Sequence, residues 1–233
     1  MTIQLWDLAG AEDDCRFSPH CWRVKMALRH KELAARETPW RFTEKEVIAF
    51  SGQKSVPVLV DRGRSVSDSW QIALYLEETY PDRPRLFGAG DDARALALFV
   101  KHWSERNIHP AVLRAIVLDL FNALHEKDKR YFKESREKRF GKTLEEVGAD
   151  RAGALAALEA ALEPVRALLA EHSFLGGGAP RFTDFILFGP FQWARAVSPV
   201  QLLKAGDPVF AWRERMLDLF GGYARGLAQR SMT

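Results

Sequence analysis

The chain has 233 residues, 47% hydrophobic and 28% charged, with a net charge of +3. Its length allows one large globular domain or two small ones with a sizeable core, while the charge is too small and too evenly spread for a nucleic-acid surface and no apolar run reaches the roughly 18 residues of a membrane span. Its two cysteines, Cys15 and Cys21, suit a reducing compartment, and the start MTIQLWDL lacks the basic head and apolar stretch of a secretory signal, so a cytoplasmic location is expected.

Thr2 to Asp7 alternates and predicts a first strand. A polar loop, Ala9 to Arg16, follows. Ser18 and Pro19 then mark a helix start, with Ser18 as N-cap and Pro19 in the first helical position. That helix fades near Leu33, and Ala34 to Trp40 predicts a second strand broken by Pro39. Residues 41–53 read as a short helix and loop. Val56 to Val60 is an apolar run rich in β-branched residues, and Asp61 to Arg64 is a turn in which Gly63 takes a positive φ at little cost. Ser65 to Ser67 is a shorter strand, and Asp68-Ser69 opens a helix with Trp70, Ile72, Ala73 and Leu76 at roughly helical spacing. A βαβ unit followed by ββα predicts a thioredoxin-like α/β domain over residues 1–82.

Pro81 to Asp92 is rich in Pro, Gly and charge, and residues 83–92 read as a linker. No convincing strand follows, so residues 93–233 are expected to form an all-α domain. Ala93 to about Leu124 carries long helical spacing that Pro110 bends or restarts. Residues 126–148 are dominated by both charge signs and read as a solvated helix face or exposed loop. Arg151 to His172 reads as one amphipathic helix, kinked at Pro164. Phe174 to Pro180 is a glycine-rich break. Thr183 to about Ala196 is apolar around most of its circumference and predicts a buried helix. A last helix spans about Phe210 to Phe220.

Two features of the stretch from Lys54 to Leu76 carry chemistry. With a cis bond before Pro57, the N–H and C=O of Val56 would face outward and pair with an extended peptide as an added strand. Asp68 and Ser69 stand at a helix N-terminus, where free N–H groups and the dipole favour a carboxylate. The Ser69 hydroxyl could donate to that carboxylate while Asp68 holds an ammonium. The combination suits an amino acid's α-carboxylate and α-amine beside an extended backbone.

Val56-Pro57 followed by Asp68-Ser69 resembles the glutathione site of the glutathione S-transferases. An α/β half followed by an all-helical half matches the architecture of that superfamily along the whole chain. Within it, FSPHCWRVKMALRHK (Phe17 to Lys31), Asp68-Ser69-Trp70, SREKRFGKTLEE (Ser135 to Glu146) and DFILFGPFQWAR (Asp184 to Arg195) look like the bacterial β-etherase-type transferases and the related fungal etherase-like class. The resemblance implies that Val56 pairs with the cysteinyl backbone of glutathione and that Asp68-Ser69 binds its γ-glutamyl end. It places Lys54 near the glycine carboxylate, and makes Trp40 a candidate to pack over the tripeptide, with a core position as its alternative. It implies glutathione as co-substrate, a hydrophobic or aromatic acceptor and a homodimer; no metal is expected, because no second ligand pair follows Cys15, His20 and Cys21. Trp6, Leu8, Trp103, Asn107 and Phe188 are candidates for the acceptor's walls. In two respects the chain departs from the family: Arg181 occupies the position where a Ser or Thr usually caps the helix of Asp184, and the first-strand loop has no tyrosine to activate a thiol.

Glutathione must react as thiolate, and an ordinary thiol is only a few per cent ionised at neutral pH. Ser18, at a helix N-terminus, is the candidate catalytic donor to that sulfur, with a purely structural N-cap as the competing role. Two other readings stay open. Cys21 or Cys15 would make the protein a cysteine-type glutathione-dependent thiol transferase or reductase, although their C-x5-C spacing is not the C-x-x-C of a thioredoxin. A non-enzymatic module holding glutathione or an aromatic ligand is the third.

Overall fold

The computed structural model describes residues 2–226. Its first half is a four-stranded sheet in the order β2-β1-β3-β4. The strands are β1 (Ile3–Leu8), β2 (Ala35–Trp40), β3 (Val58–Asp61) and β4 (Arg64–Ser67). β1 runs parallel to β2 and antiparallel to β3, and β3 pairs antiparallel with β4. Helices α1 (Pro19–His30) and α2 (Ser69–Thr79) and a 3-10 turn, Lys45–Ser51, complete a thioredoxin-like domain. β2 passes through Pro39 unbroken. It is an edge strand, so the missing N–H of Pro39 faces no further ladder.

The second half is helical: α3 (Asp91–Trp103), α4 (His109–Ala123), α5 (Glu126–Phe140), α6 (Leu144–Ala149), α7 (Arg151–Ala161), α8 (Glu163–Glu171), α9 (Phe182–Val197) and α10 (Pro208–Gly222). A π-turn over Ser104–Ile108 joins α3 to α4 without a break, and Pro110, which has no N–H to donate, follows it directly, so the wider turn falls where the α-helical ladder would lose a bond. The single helix expected over Arg151 to His172 is two helices. The chain breaks at Leu162, and Pro164 starts α8 rather than kinking its middle. The charged segment 126–148 folds into α5 and α6 and is not wholly solvated. Its Asp128 and Phe132 are buried, and the Asp128 carboxylate accepts from Phe42 N, Thr43 N and the Thr43 hydroxyl in the first half. α10 ends early: Leu219 is extended, and Phe220 and Gly221 are left-handed.

α1 joins the halves. One side meets α2 and, through Lys25, the sheet, and the other packs on α9, so Pro19 and Cys21 to Leu28 are all buried, charged residues included. Lys25 reaches back to Asp7 of β1 at 2.9 Å and to Glu37 of β2 at 3.2 Å. Lys31, also buried, pairs with Glu77 of α2 at 2.6 Å and donates to the Tyr80 carbonyl at 3.1 Å. α9 can approach because Gly189 has no side chain: a Cβ there would lie 3.0 Å from the carbonyl carbon of Pro19. α9 begins on Asp184, whose carboxylate accepts from Leu175 N, Gly176 N, Arg181 N and the Trp212 indole. Those bonds make up for the hydroxyl cap that Arg181 cannot provide.

Candidate active site

Ser18 caps α1 as the sequence predicts. Its backbone is extended, and its Oγ accepts from Cys21 N at 3.2 Å. This bond uses a lone pair and leaves the hydroxyl hydrogen for another acceptor. Capping and donation to a sulfur are therefore compatible. The loop before Ser18 is held from both halves of the molecule. Arg41 donates to the carbonyls of Gly10 and Ala11, each at 3.0 Å, and Ala11 N donates to the Ala123 carbonyl of α4 at 2.9 Å. Cys21, one turn into α1, is fully buried. Burial above all, and then Asp7, push its thiol well above the usual range. Its setting opposes a reactive thiolate. Cys15 is half-buried on the loop, with its Sγ facing the Ala196 carbonyl at 3.6 Å.

A cavity of about 280 Å³ lies where β3, β4 and the start of α2 meet, lined by Val56, Pro57, Asp68 and Ser69 together with His20, Gln53, Ser55 and Ser67. The bond between Val56 and Pro57 is cis. The ladders of β3 begin only at Val58, and the Val56 N–H and C=O make no hydrogen bond among the described residues. Asp68 is exposed, with φ at 71°, a left-handed conformation that Asp tolerates better than most side chains. Its Oδ1 caps α2 by accepting from Trp70 N at 2.9 Å and Gln71 N at 3.1 Å, so that cap leaves Oδ2 to a ligand. Ser69 is buried at the helix start, in the positive end of the α2 dipole.

Behind the cleft wall lies a set of groups that are far apart in the sequence. The rings of His20 and His109 are 5.2 Å apart. Arg23 is wholly buried, donates to Glu105 at 2.8 Å and points its other terminal nitrogen at His109 Nε2, 3.0 Å away. A guanidinium only donates, so His109 Nε2 must be the acceptor and the ring neutral. Burial, Arg23, His20 and Lys101 together hold His109 well below the usual histidine range. Burial, followed by Arg23 and Lys101, pushes His20 down to about 3. Sequence spacing held no signal for this assembly, since Arg23 and His109 are 86 residues apart.

Three expected residues lie outside the cleft wall. Trp40 is 1% exposed, and its indole donates to the Glu44 carbonyl at 2.6 Å. It occupies the core position because the β2 register sets it opposite the buried Leu8. Lys54 is exposed and absent from the cleft wall, where the amide of Gln53 stands instead. Ser18 does not line the cleft either; it precedes His20 by two residues. Among the suggested acceptor walls, Leu8 and Phe188 are buried core, and Trp6 packs against Phe50 with centroids 5.0 Å apart and the rings tilted by 57°. Asn107 is exposed on the π-turn and donates to the Trp103 carbonyl at 2.9 Å.

This geometry can be set beside known proteins. A model of the glutathione S-transferase N-terminal domain matches residues 14–84, and one of the glutathione S-transferase C-terminal domain matches residues 95–206. A probable glutathione S-transferase of Oryza sativa subsp. japonica is 28% identical over 214 residues, covering 85% of this chain and 80% of the relative. The crystal structure of a glutathione transferase from Phanerochaete chrysosporium superposes with a TM-score of 0.77 at 26% identity, over 97% of this chain and 95% of that one. A glutathione S-transferase of Ceriporiopsis subvermispora, crystallised in complex with glutathione, has a TM-score of 0.78 over 99% of this chain and 100% of its own, and its 24% identity speaks to the fold.

Proposed function

The chain belongs to the glutathione S-transferase superfamily, and from that premise we propose that it uses glutathione thiolate to attack a hydrophobic, aromatic electrophile. One observation carries the reading: a single cleft unites the unpaired Val56 backbone, the free oxygen of Asp68 and the Ser69 end of α2. An extended tripeptide placed there would pair its cysteinyl backbone with Val56. Its α-carboxylate would meet Ser69 and the helix dipole, and its α-ammonium would meet Asp68. Ser18, capped onto Cys21 N, would turn its hydroxyl hydrogen toward the sulfur and stabilise the thiolate. Val56, Pro57, Asp68, Ser69 and Ser18 are therefore the proposed site residues, with domain limits at residues 1–82 and 93–233.

For the acceptor, the likeness of four sequence segments to the etherase-type classes supports an aryl ether α to a carbonyl. The thiolate would form a C–S bond at that carbon while the C–O bond breaks and the phenolate leaves with the electron pair. The thiol proton goes to solvent. A cysteine-type reaction fits less well, because the Cys21 thiol is fully buried and pushed up. A homodimer is supported by apolar side chains left in solvent, with Phe99 of α3 66% exposed and Phe50 55% exposed. No helix among the described residues is long and apolar enough to cross a membrane, which is compatible with a cytoplasmic setting.

The deciding experiment follows conversion of an aryl-ether model compound with and without glutathione, in the wild type and in Ser18→Ala, Cys21→Ala and Cys15→Ala. The proposal requires glutathione-dependent turnover that is lost in Ser18→Ala and kept in both cysteine variants. Turnover that survives Ser18→Ala and disappears with a cysteine would replace it with the cysteine-type reaction. Tight glutathione binding without turnover of any electrophile would make the protein a binding module.

A further inference from the structure

We propose that His20 is a specificity-determining residue of the cleft, whose imidazole accepts a hydrogen bond from the α-ammonium of the bound γ-glutamyl group alongside the Asp68 carboxylate. The inference rests on the cleft being the glutathione cleft, and it adds a residue that the sequence motifs do not indicate. His20 is half-buried and lines the same cavity as Asp68 and Ser69. Its ring is backed by His109 at 5.2 Å, and His109 is fixed by Arg23, itself held by Glu105 of the π-turn. The wall thus reaches from α1 into the helical half, and the imidazole stands on a rigid support.

The division of labour follows from donor and acceptor counts. The α-carboxylate needs donors, and the start of α2 with Ser69 supplies them. The α-ammonium carries three N–H groups. Asp68 spends Oδ1 on its own helix cap, accepting from both Trp70 N and Gln71 N, and has Oδ2 left. A second acceptor is therefore needed, and a neutral imidazole supplies one lone pair. Arg23 and Lys101, together with burial, keep His20 uncharged across the physiological range. A charged ring would repel the ammonium. The neutral one distinguishes a ligand with a free α-amine from one without it.

Calorimetry tests this with three tripeptides: glutathione, the analogue with glutaryl in place of γ-glutamyl (no α-amine), and the analogue with γ-aminobutyryl (no α-carboxylate). Wild type, His20→Phe and His20→Gln are compared. A hydrogen bond to a charged group predicts that His20→Phe weakens glutathione and the γ-aminobutyryl analogue by roughly tenfold to a hundredfold. The glutaryl analogue should bind wild type and His20→Phe within a factor of about two. His20→Gln, which keeps an acceptor, should recover part of the loss for amine-bearing ligands only. The proposal is overturned if His20→Phe weakens all three alike, if it weakens none, or if the loss follows the carboxylate instead of the amine. Wild-type protein that takes up none of the three would overturn the glutathione reading of the cleft as well, a result distinct from binding without discrimination.

Discussion

Gly189→Ala should loosen the joint between the two halves and disturb Ser18 at the same time. The added Cβ would lie 3.0 Å from the Pro19 carbonyl carbon, 3.2 Å from its Cα, and closer still to its oxygen, where ordinary contact begins at 3.4 Å. Both partners are backbone, so no side chain can swing away. The start of α1 must move relative to α9 by at least 3.4 − 3.0 = 0.4 Å at the carbonyl carbon, and by more at the oxygen. Overpacking of this kind costs about 1–3 kcal/mol. Residue 189 also precedes Pro190 within α9, where a Cβ disfavours helical backbone. Against this stands the better helix propensity of Ala, worth about 1 kcal/mol. A net loss of roughly 1–2 kcal/mol should lower Tm by about 2–8 °C for a chain of this size. Because Ser18 adjoins Pro19, kcat on an aryl-ether or other electrophile should fall more than glutathione affinity does. The assay pairs thermal unfolding with steady-state kinetics at saturating glutathione. A variant as stable as the wild type, with unchanged kcat, would refute the close-approach reasoning.

Other consequences can be measured directly. Asp184→Ala removes the acceptor for four donors, from Leu175, Gly176, Arg181 and Trp212, and should cost about 3–5 kcal/mol in urea unfolding; a loss under about 1 kcal/mol would mean the bonds are replaced. Asp128→Ala should free α5 from residues 42–43, seen as faster amide exchange there with a loss of about 1–3 kcal/mol. His20 and His109 are held below the ordinary 6.5 in the folded chain, so below that pH the unfolded chain takes up protons that the folded chain refuses. Stability should therefore fall as pH drops from about 6.5, by at most about 1.4 kcal/mol per pH unit for each ring and less in so far as solvent reaches it; His20→Phe should flatten the decline, and an equally steep curve would refute its share. Phe99→Glu, on the exposed face of α3, should shift sedimentation from dimer toward monomer, and an unchanged profile would move the interface elsewhere.

Short-range signals in the chain determined much of this protein. Ser18-Pro19 favours a helix start through local geometry alone, because the cap and the fixed φ act within one turn. Val56-Pro57, the turn at Gly63 and the cap at Asp68 form one continuous stretch, so the cleft's outline was legible before any fold was drawn. The alternation of strand and helix patterns up to Thr79, followed by helices alone among the described residues, likewise marked an α/β half and a helical half. What the tertiary structure decided depends on contacts between distant residues. Trp40 went to the core through strand register, and Gln53 rather than Lys54 came to face the cleft. Arg23 meets Glu105 and His109 across 82 and 86 residues, and Gly189 earns its place only because Pro19 passes against it. No periodicity records such meetings, since they arise when two separately specified halves close on α1.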